Sequence, residues 1–353
     1  MNKVRCDFVD WMKAVGMFLI VFGHFIGDPF NQFTQPIYPK QLGVAMFVFI
    51  MGWGLGKLNK DTLYVGYNRL FPMFFWGILI AVFISFISFF VINDISESNY
   101  APFVFGINVI FNFFPANPTT WFIGTYFHII LLWALLLYRI QVTPIVLCLS
   151  LVFEILIRYH FISQGSTFIA YMTLPNWITL FFLGMYMCQR QDQKGSNGLL
   201  MRVVAWGVFL TLWAILLNNI NVTQRFPFKN IDVASHNLNA LYTSLAVSFV
   251  YLCNTLFSIT VFSRIKAGRI VRFFSRNTII VFIGHMPLYF VIEPGVNLIF
   301  DSGWQKKLCI ILIMYIGLSW VSELLHKWIK VDQIKKWGWE KITQLMPQLA
   351  KSQ

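Results

Sequence analysis

Residues 70–92 read Leu-Phe-Pro-Met-Phe-Phe-Trp-Gly-Ile-Leu-Ile-Ala-Val-Phe-Ile-Ser-Phe-Ile-Ser-Phe-Phe-Val-Ile, with no charged side chain between Arg69 and Asp94. Wound as a helix at about 1.5 Å per residue, such a run is long enough to cross the roughly 30 Å hydrocarbon core of a bilayer. A helix also satisfies its own backbone hydrogen-bonding groups, which an apolar solvent demands. The run lacks the alternation and the ten-residue length of an outer-membrane barrel strand, so a barrel is rejected. Comparable runs begin near Phe8, Leu42, Thr120, Thr143, Ala170, Val203, Leu238, Thr278 and Leu308. With the one at Leu70 they make about ten spans, and an all-α, polytopic transmembrane helical bundle is expected.

The composition agrees. Of 353 residues, 58% are hydrophobic, 12% are charged and 38 are phenylalanine, with a mean hydropathy of +0.66. A soluble domain of this size would need far more polar surface. The net charge of +13 would suggest nucleic acid in a soluble protein, but here the cations sit in short loops and a tail, where they set topology. Neither nucleic acid nor a second soluble domain is expected. Cys6, Cys148, Cys188, Cys253 and Cys309 stand singly in or beside apolar runs, so neither a disulfide framework nor a metal site is indicated. The N-terminal basic residues before an apolar run resemble a signal peptide, yet no small-residue cleavage site follows, and an uncleaved first span is expected.

With ten spans and a cytoplasmic N-terminus, only Lys40, Arg158, Arg225, Lys229, Lys306 and Lys307 of the 27 Lys+Arg fall outside. That bias places both termini in the cytoplasm. The segment from Pro102 to Phe114 is too short to cross and reads as interfacial or re-entrant. Residues 1–330 form the transmembrane domain. Residues 331–353 form a cytoplasmic tail in which Ile334, Trp337, Ile342 and Leu345 alternate with lysines, as in an amphipathic helix held against membrane lipids.

The first span carries the chemistry. Asp10, Lys13 and His24 fall on one helical face, with Lys13 and His24 roughly 16 Å apart along the axis. An ionisable ring past the bilayer middle usually faces a hydrated cavity, and imidazole can exchange a proton at physiological pH. A purely structural reading stays open, with Asp10 and Lys13 an interfacial ion pair and His24 a packing hydrogen bonder. Glu154 and Arg158, four residues apart near an outer helix end, are expected to pair with each other. Pro287 and Pro294 should kink the ninth span.

These residues resemble the opening motif of membrane acyltransferase family 3, including its fucose 4-O-acetylase-like branch: Asp10-x-x-Lys13, ten residues, then His24, with Arg5 upstream. Further segments follow in the family's order. They are Phe47-Val48-Phe49-Ile50-Met51-Gly52-Trp53-Gly54, Arg69-Leu70-Phe71-Pro72, Trp121-Phe122-Ile123 and Gly284-His285-Met286-Pro287-Leu288. Ala14, Met51 and Thr120 differ from residues common in the family at those places.

The resemblance implies transfer of an acyl group, acetyl above all, from a cytoplasmic acyl-CoA to a hydroxyl of an extracytoplasmic or lipid-linked carbohydrate. His24 and Asp10 are then the catalytic candidates, with His24 as general base. Lys13, Arg69 and Arg5 are candidates for the acyl-CoA phosphates. Trp121, His285 and Glu293 are candidates for the acceptor, and Gly52 and Gly54 for close helix approach. The partners are acyl-CoA, a surface or lipid-linked glycan and membrane lipids. Acetyl-CoA or another acyl-CoA serves as donor substrate, with no tightly bound cofactor and no metal. A transporter or flippase of lipid-linked saccharide would also want a polar cavity and kinked helices, but it does not require a base aligned with a phosphate clamp.

Overall fold

The computed structural model describes residues 6–25, 39–56, 62–92, 120–190, 206, 237–300 and 303–346. Among them are helices and turns and no strand, so the protein is all-α. The helices are α1 (Asp7–Phe25), α2 (Pro39–Leu55), α3 (Thr62–Ile92), α4 (Thr120–Leu135), α5 (Pro144–Ser163), α6 (Thr167–Met172), α7 (Ile178–Gln189) and α8 (Asn237–Phe262). They continue as α9 (Arg269–Arg276), α10 (Thr278–Gly284), α11 (Tyr289–Asn297), α12 (Trp304–Leu312), α13 (Leu318–Trp328) and α14 (Val331–Leu345). A π-turn, Ile313–Gly317, joins α12 to α13 in one helical run.

Five of these stretches are long and apolar enough to cross a membrane: α1, most of α3, α5, most of α8 and the run Trp304–Trp328. The pair α10 and α11 adds a sixth if counted as one bent span, and two shorter apolar helices lie at Lys40–Leu55 and Trp121–Leu135. The expected span near Val203 and the short segment 102–114 lie outside the described residues. The span expected from Ala170 is broken: α6 ends at Met172 and a 3-10 turn, Leu174–Trp177, containing Pro175, precedes α7.

Local chemistry accounts for several boundaries. The Thr143 hydroxyl caps α5 by accepting the Val146 amide at 3.3 Å, with Pro144 in the first helical position, where its missing N–H costs nothing. The same helix stops at Gly165, whose φ of +74° suits a residue without Cβ, while Ser166 N–H reaches back to the Phe161 carbonyl. Helices α10 and α11 meet at 76°, around Pro287, which has no N–H to continue the ladder. Pro294 sits inside α11, which continues past it to Asn297.

The helices gather into two compact units, each assembled from separate stretches of the chain. The first holds residues 1–56, 141–276 and 303–311. In it α2 lies between α1 and α7, and glycine makes both approaches possible. A Cβ on Gly43 would collide with the Gly16 carbonyl of α1, and one on Gly52 with the Phe181 carbonyl of α7. Gly184 of α7 returns the contact, since its Cβ would lie 2.6 Å from Trp53 N. Without a hydrophobic drive between helices in lipid, such close backbone approach supplies the dispersion energy that holds them. Gly52 is therefore spent on packing, and Gly54 is exposed. Met12, Met46, Phe49, Ile50 and Ile259 fill the core beside this seam.

The second unit holds residues 57–140, 277–302 and 312–353. The expected amphipathic tail is helix α14. It is tied to α3 by Tyr67, whose hydroxyl donates to the Lys335 carbonyl at 2.9 Å, and by Trp339, whose ring lies 5.1 Å from those of both Tyr64 and Tyr67. Its other face exposes Trp337, Ile334 and Leu345.

Candidate active site

Helix α1 buries one stripe: Asp10, Met17, Ile20 and Val21 are at most 5% exposed. On the helical wheel His24 falls between Ile20 and Met17, and Lys13 lies beside it. Both side chains are half-buried, at the two ends of that stripe. The exposed Phe18 is turned away from His24 by roughly 120°. His24 therefore belongs to the protein-facing side of α1 and not to the side bearing Phe18.

Asp10 is held at the opposite end from His24. Its Oδ1 accepts the Ser275 hydroxyl of α9 at 2.6 Å, and one turn earlier Asp7 pairs with Arg272 at 3.3 Å. About 21 Å of helix separates Asp10 from His24. The carboxylate anchors α9 to α1.

At the His24 end the neighbour is the first turn of α2. A Cβ on Gly23 would lie 2.6 Å from the backbone nitrogen of Lys40. The next residue, Gln41, is buried, and its Oε1 accepts the Tyr251 hydroxyl of α8 at 2.5 Å. Tyr251 stacks on Trp177, with centroids 4.9 Å apart and planes 8° from parallel.

Beneath Trp177 lies a buried ion pair. Arg158 and Glu154 are 1% and 3% exposed and meet at 2.8 Å. Arg158 also donates to Ser248 Oγ at 2.5 Å, the Asn176 carbonyl at 2.6 Å and the Ser244 carbonyl at 3.2 Å. Glu154 accepts the Ser248 hydroxyl at 2.8 Å and the Thr179 amide at 3.1 Å. The two residues do pair as expected, but in the interior, as the polar joint of α5, α7 and α8. The sequence signal was present: two opposite charges one turn apart within an otherwise apolar helix.

The remaining candidates belong to the second unit. Arg69 is exposed, and its carbonyl accepts the Tyr126 hydroxyl of α4 at 3.3 Å. Trp121, also on α4, is half-buried and edge-on to Phe122, whose ring in turn meets Phe282 of α10 at 5.2 Å. His285, fully buried at the α10–α11 bend, has Nδ1 3.0 Å from the Val281 carbonyl and 2.9 Å from that of Phe282. Those acceptors call for a proton on Nδ1, leaving the lone pair on Nε2. Glu293 is half-buried and hydrogen-bonded to the Tyr289 hydroxyl one turn earlier. Arg5 lies outside the described residues. A further polar cluster was not anticipated: Ser322 donates to Asn277 Oδ1 at 2.7 Å, Asn277 donates to Glu323 at 3.2 Å, and His326 lies over the edge of Trp76.

The family model of acyltransferase 3, described as an acyltransferase domain, matches residues 7–324. This chain belongs to the acyltransferase 3 family. Compared with curated proteins and with solved structures, it finds no match. The match makes the protein a membrane acyltransferase and takes in both units, from the first turn of α1 to the middle of α13. Helix α14 lies beyond it. Of the candidate residues, this acyltransferase gathers Asp10, Lys13 and His24 on one stripe of α1 in its first unit, whereas Arg69, Trp121, His285 and Glu293 belong to its second. Among the described residues there is no group of three or more His, Cys, Asp or Glu side chains able to hold a metal ion.

Proposed function

We propose that this acyltransferase moves an acyl group, acetyl above all, from acyl-CoA on the cytoplasmic side to a hydroxyl of an extracytoplasmic or lipid-linked carbohydrate, with His24 as general base. The observation that carries the reading is the placement of His24. It continues the buried stripe of α1 at the end away from Asp10, in a chain matched to an acyltransferase family over nearly its whole length.

A sugar hydroxyl attacks a thioester slowly unless its proton is removed as the new bond forms. A neutral imidazole takes that proton while the hydroxyl oxygen adds to the thioester carbonyl. The carbon–sulfur bond then breaks, and the imidazolium returns the proton to the departing thiolate. An ester and free coenzyme A thiol result, and the histidine is regenerated.

The donor's phosphates need cations. Lys13, Arg69 and Arg5 are assigned to them, since guanidinium and ammonium groups form charge-assisted hydrogen bonds to phosphate oxygens. Trp121, His285 and Glu293 are assigned to the acceptor: an aromatic face, an imidazole and a carboxylate suit a sugar ring and its hydroxyls. Asp10 serves by holding α9 against the Lys13 end of α1. The protein acts in a bacterial cytoplasmic membrane, with no tightly bound cofactor.

The test is the mass of the surface glycans from cells with the gene, without it, and with a His24→Ala copy. One acyl increment lost in the deletion and not restored by His24→Ala is the expected result, and the size of the increment identifies the donor. Full restoration by His24→Ala removes His24 from the mechanism.

A further inference from the structure

We propose that Gln41 and Tyr251 are positioning residues for His24, a hydrogen-bonded pair that fixes the turn of α2 against which Gly23, the residue before the histidine, rests. The inference depends on His24 being the base proposed above.

The path is continuous and lies entirely within the first unit. Arg158 holds the Asn176 carbonyl at 2.6 Å, and the next residue, Trp177, stacks on Tyr251. Tyr251 donates to Gln41 at 2.5 Å, Gln41 follows Lys40, and the Lys40 backbone abuts Gly23, the residue before His24. Trp177, Tyr251, Gln41, Arg158 and Glu154 are all less than 5% exposed, so each link is shielded from competing water.

Three features argue for positioning over simple adhesion. Adhesion needs no polar pair, because a Phe and a Leu at these places would join α8 to α2 without the cost of desolvating a hydroxyl and an amide. The bond also ties down the first turn of a helix, where backbone N–H groups lack intrahelical partners and the helix frays most readily. Finally, Gly23 leaves no side chain between α1 and that turn, so a displaced α2 start has nothing to absorb the shift before it reaches His24. The far end of the path is itself tied down: Arg158 and Glu154 together bind Ser244, Ser248, Asn176 and Thr179.

Reaction geometry is unforgiving at this scale, since a misplacement of about 1 Å can cost roughly 100-fold in rate. Tyr251→Phe keeps the stacked ring and deletes the donated hydrogen bond; Gln41→Leu deletes the acceptor. The experiment uses membrane vesicles carrying the full chain, radiolabelled acetyl-CoA as donor, and label transferred to glycan, normalised to the amount of folded protein. Each variant is expected to lower the maximal rate roughly 10- to 100-fold, with the KM for acetyl-CoA within about twofold of wild type. Because the two act as one device, the double variant should be no slower than the slower single variant. Gln41→Glu, which still offers Tyr251 an acceptor, should keep most of the rate and provides the comparison if Tyr251→Phe accumulates poorly. Unchanged maximal rates, effects that multiply in the double variant, a change confined to KM, or a Gln41→Glu rate as low as that of Gln41→Leu would each overturn the proposal. His24→Ala, run in parallel, separates the two readings. A lost rate there with a normal Tyr251→Phe rate rejects positioning alone, whereas a retained rate in His24→Ala rejects the base and the positioning pair with it.

Discussion

Arg158→Met asks the most of the buried polar joint. The arginine is 1% exposed and donates four hydrogen bonds, to Glu154, Ser248 and the carbonyls of Asn176 and Ser244. Methionine fills much of the volume but leaves the Glu154 carboxylate, itself 3% exposed, with only the Ser248 hydroxyl and the Thr179 amide as partners among these groups. Removing one member of a buried ion pair costs about 3–5 kcal/mol, because the surviving charge stays desolvated. At about 2–4 °C per kcal/mol for a unit of roughly 150–250 residues, the melting temperature should fall by roughly 6–20 °C. Intrinsic tryptophan fluorescence of the detergent-solubilised protein follows the transition. Replacing both charges, Glu154→Leu with Arg158→Met, removes the stranded carboxylate and should recover at least half of the loss. A single variant melting within about 2 °C of wild type, or a double variant as unstable as the single, refutes the account of the pair as a satisfied, mutually dependent joint.

Other perturbations read other parts of the fold. Gly184→Val drives a side chain into the Phe49 carbonyl and the Trp53 amide across the α2–α7 seam, so it should cost about 1–3 kcal/mol by melting temperature. Gly66→Ala, whose Cβ meets its nearest neighbours at an ordinary 3.7 Å, should be tolerated. Ser275→Ala takes away a donor to the buried Asp10 and should cost about 1–3 kcal/mol, read the same way. Trp339→Ala removes the ring that lies against Tyr64 and Tyr67, so α14 should detach from α3 and limited trypsin digestion should cut at Lys335 and Lys341 faster than in wild type. An unchanged digestion rate would mean that Trp339 does not hold that helix.

What could be read from the chain follows the range of the interactions. The apolar runs announce membrane helices because length and hydropathy are local properties, and the bend at Pro287 is legible because a proline's missing N–H acts within one turn. The shared face of Lys13 and His24 needs only the helical period. The break at Thr173–Trp177 was missed, since the run from Ala170 is apolar on both sides and Pro175 can occupy a helix's first turn as readily as interrupt one. The pairing of Glu154 with Arg158 follows from their one-turn spacing, but their burial does not, because that spacing says nothing of Ser244, Ser248, Asn176 and Thr179, which arrive from other helices and turns. Gln41 and Tyr251 were invisible for the same reason: they lie 210 residues apart, and neither stands in a motif. Asp10 shares the face of Lys13 and His24 by the same period, but its bond to Ser275, 265 residues away, is not legible from it.

The central claim, that the imidazole of His24 removes the acceptor's proton, is tested most directly by single-turnover acyl transfer in vesicles with purified, folded His24→Ala protein and saturating acetyl-CoA. General-base catalysis contributes roughly 100- to 10,000-fold. A rate at least about 100-fold below wild type, with acetyl-CoA binding intact, is the expected result. A rate within about tenfold of wild type would contradict the assignment and send the search for the base elsewhere in the chain.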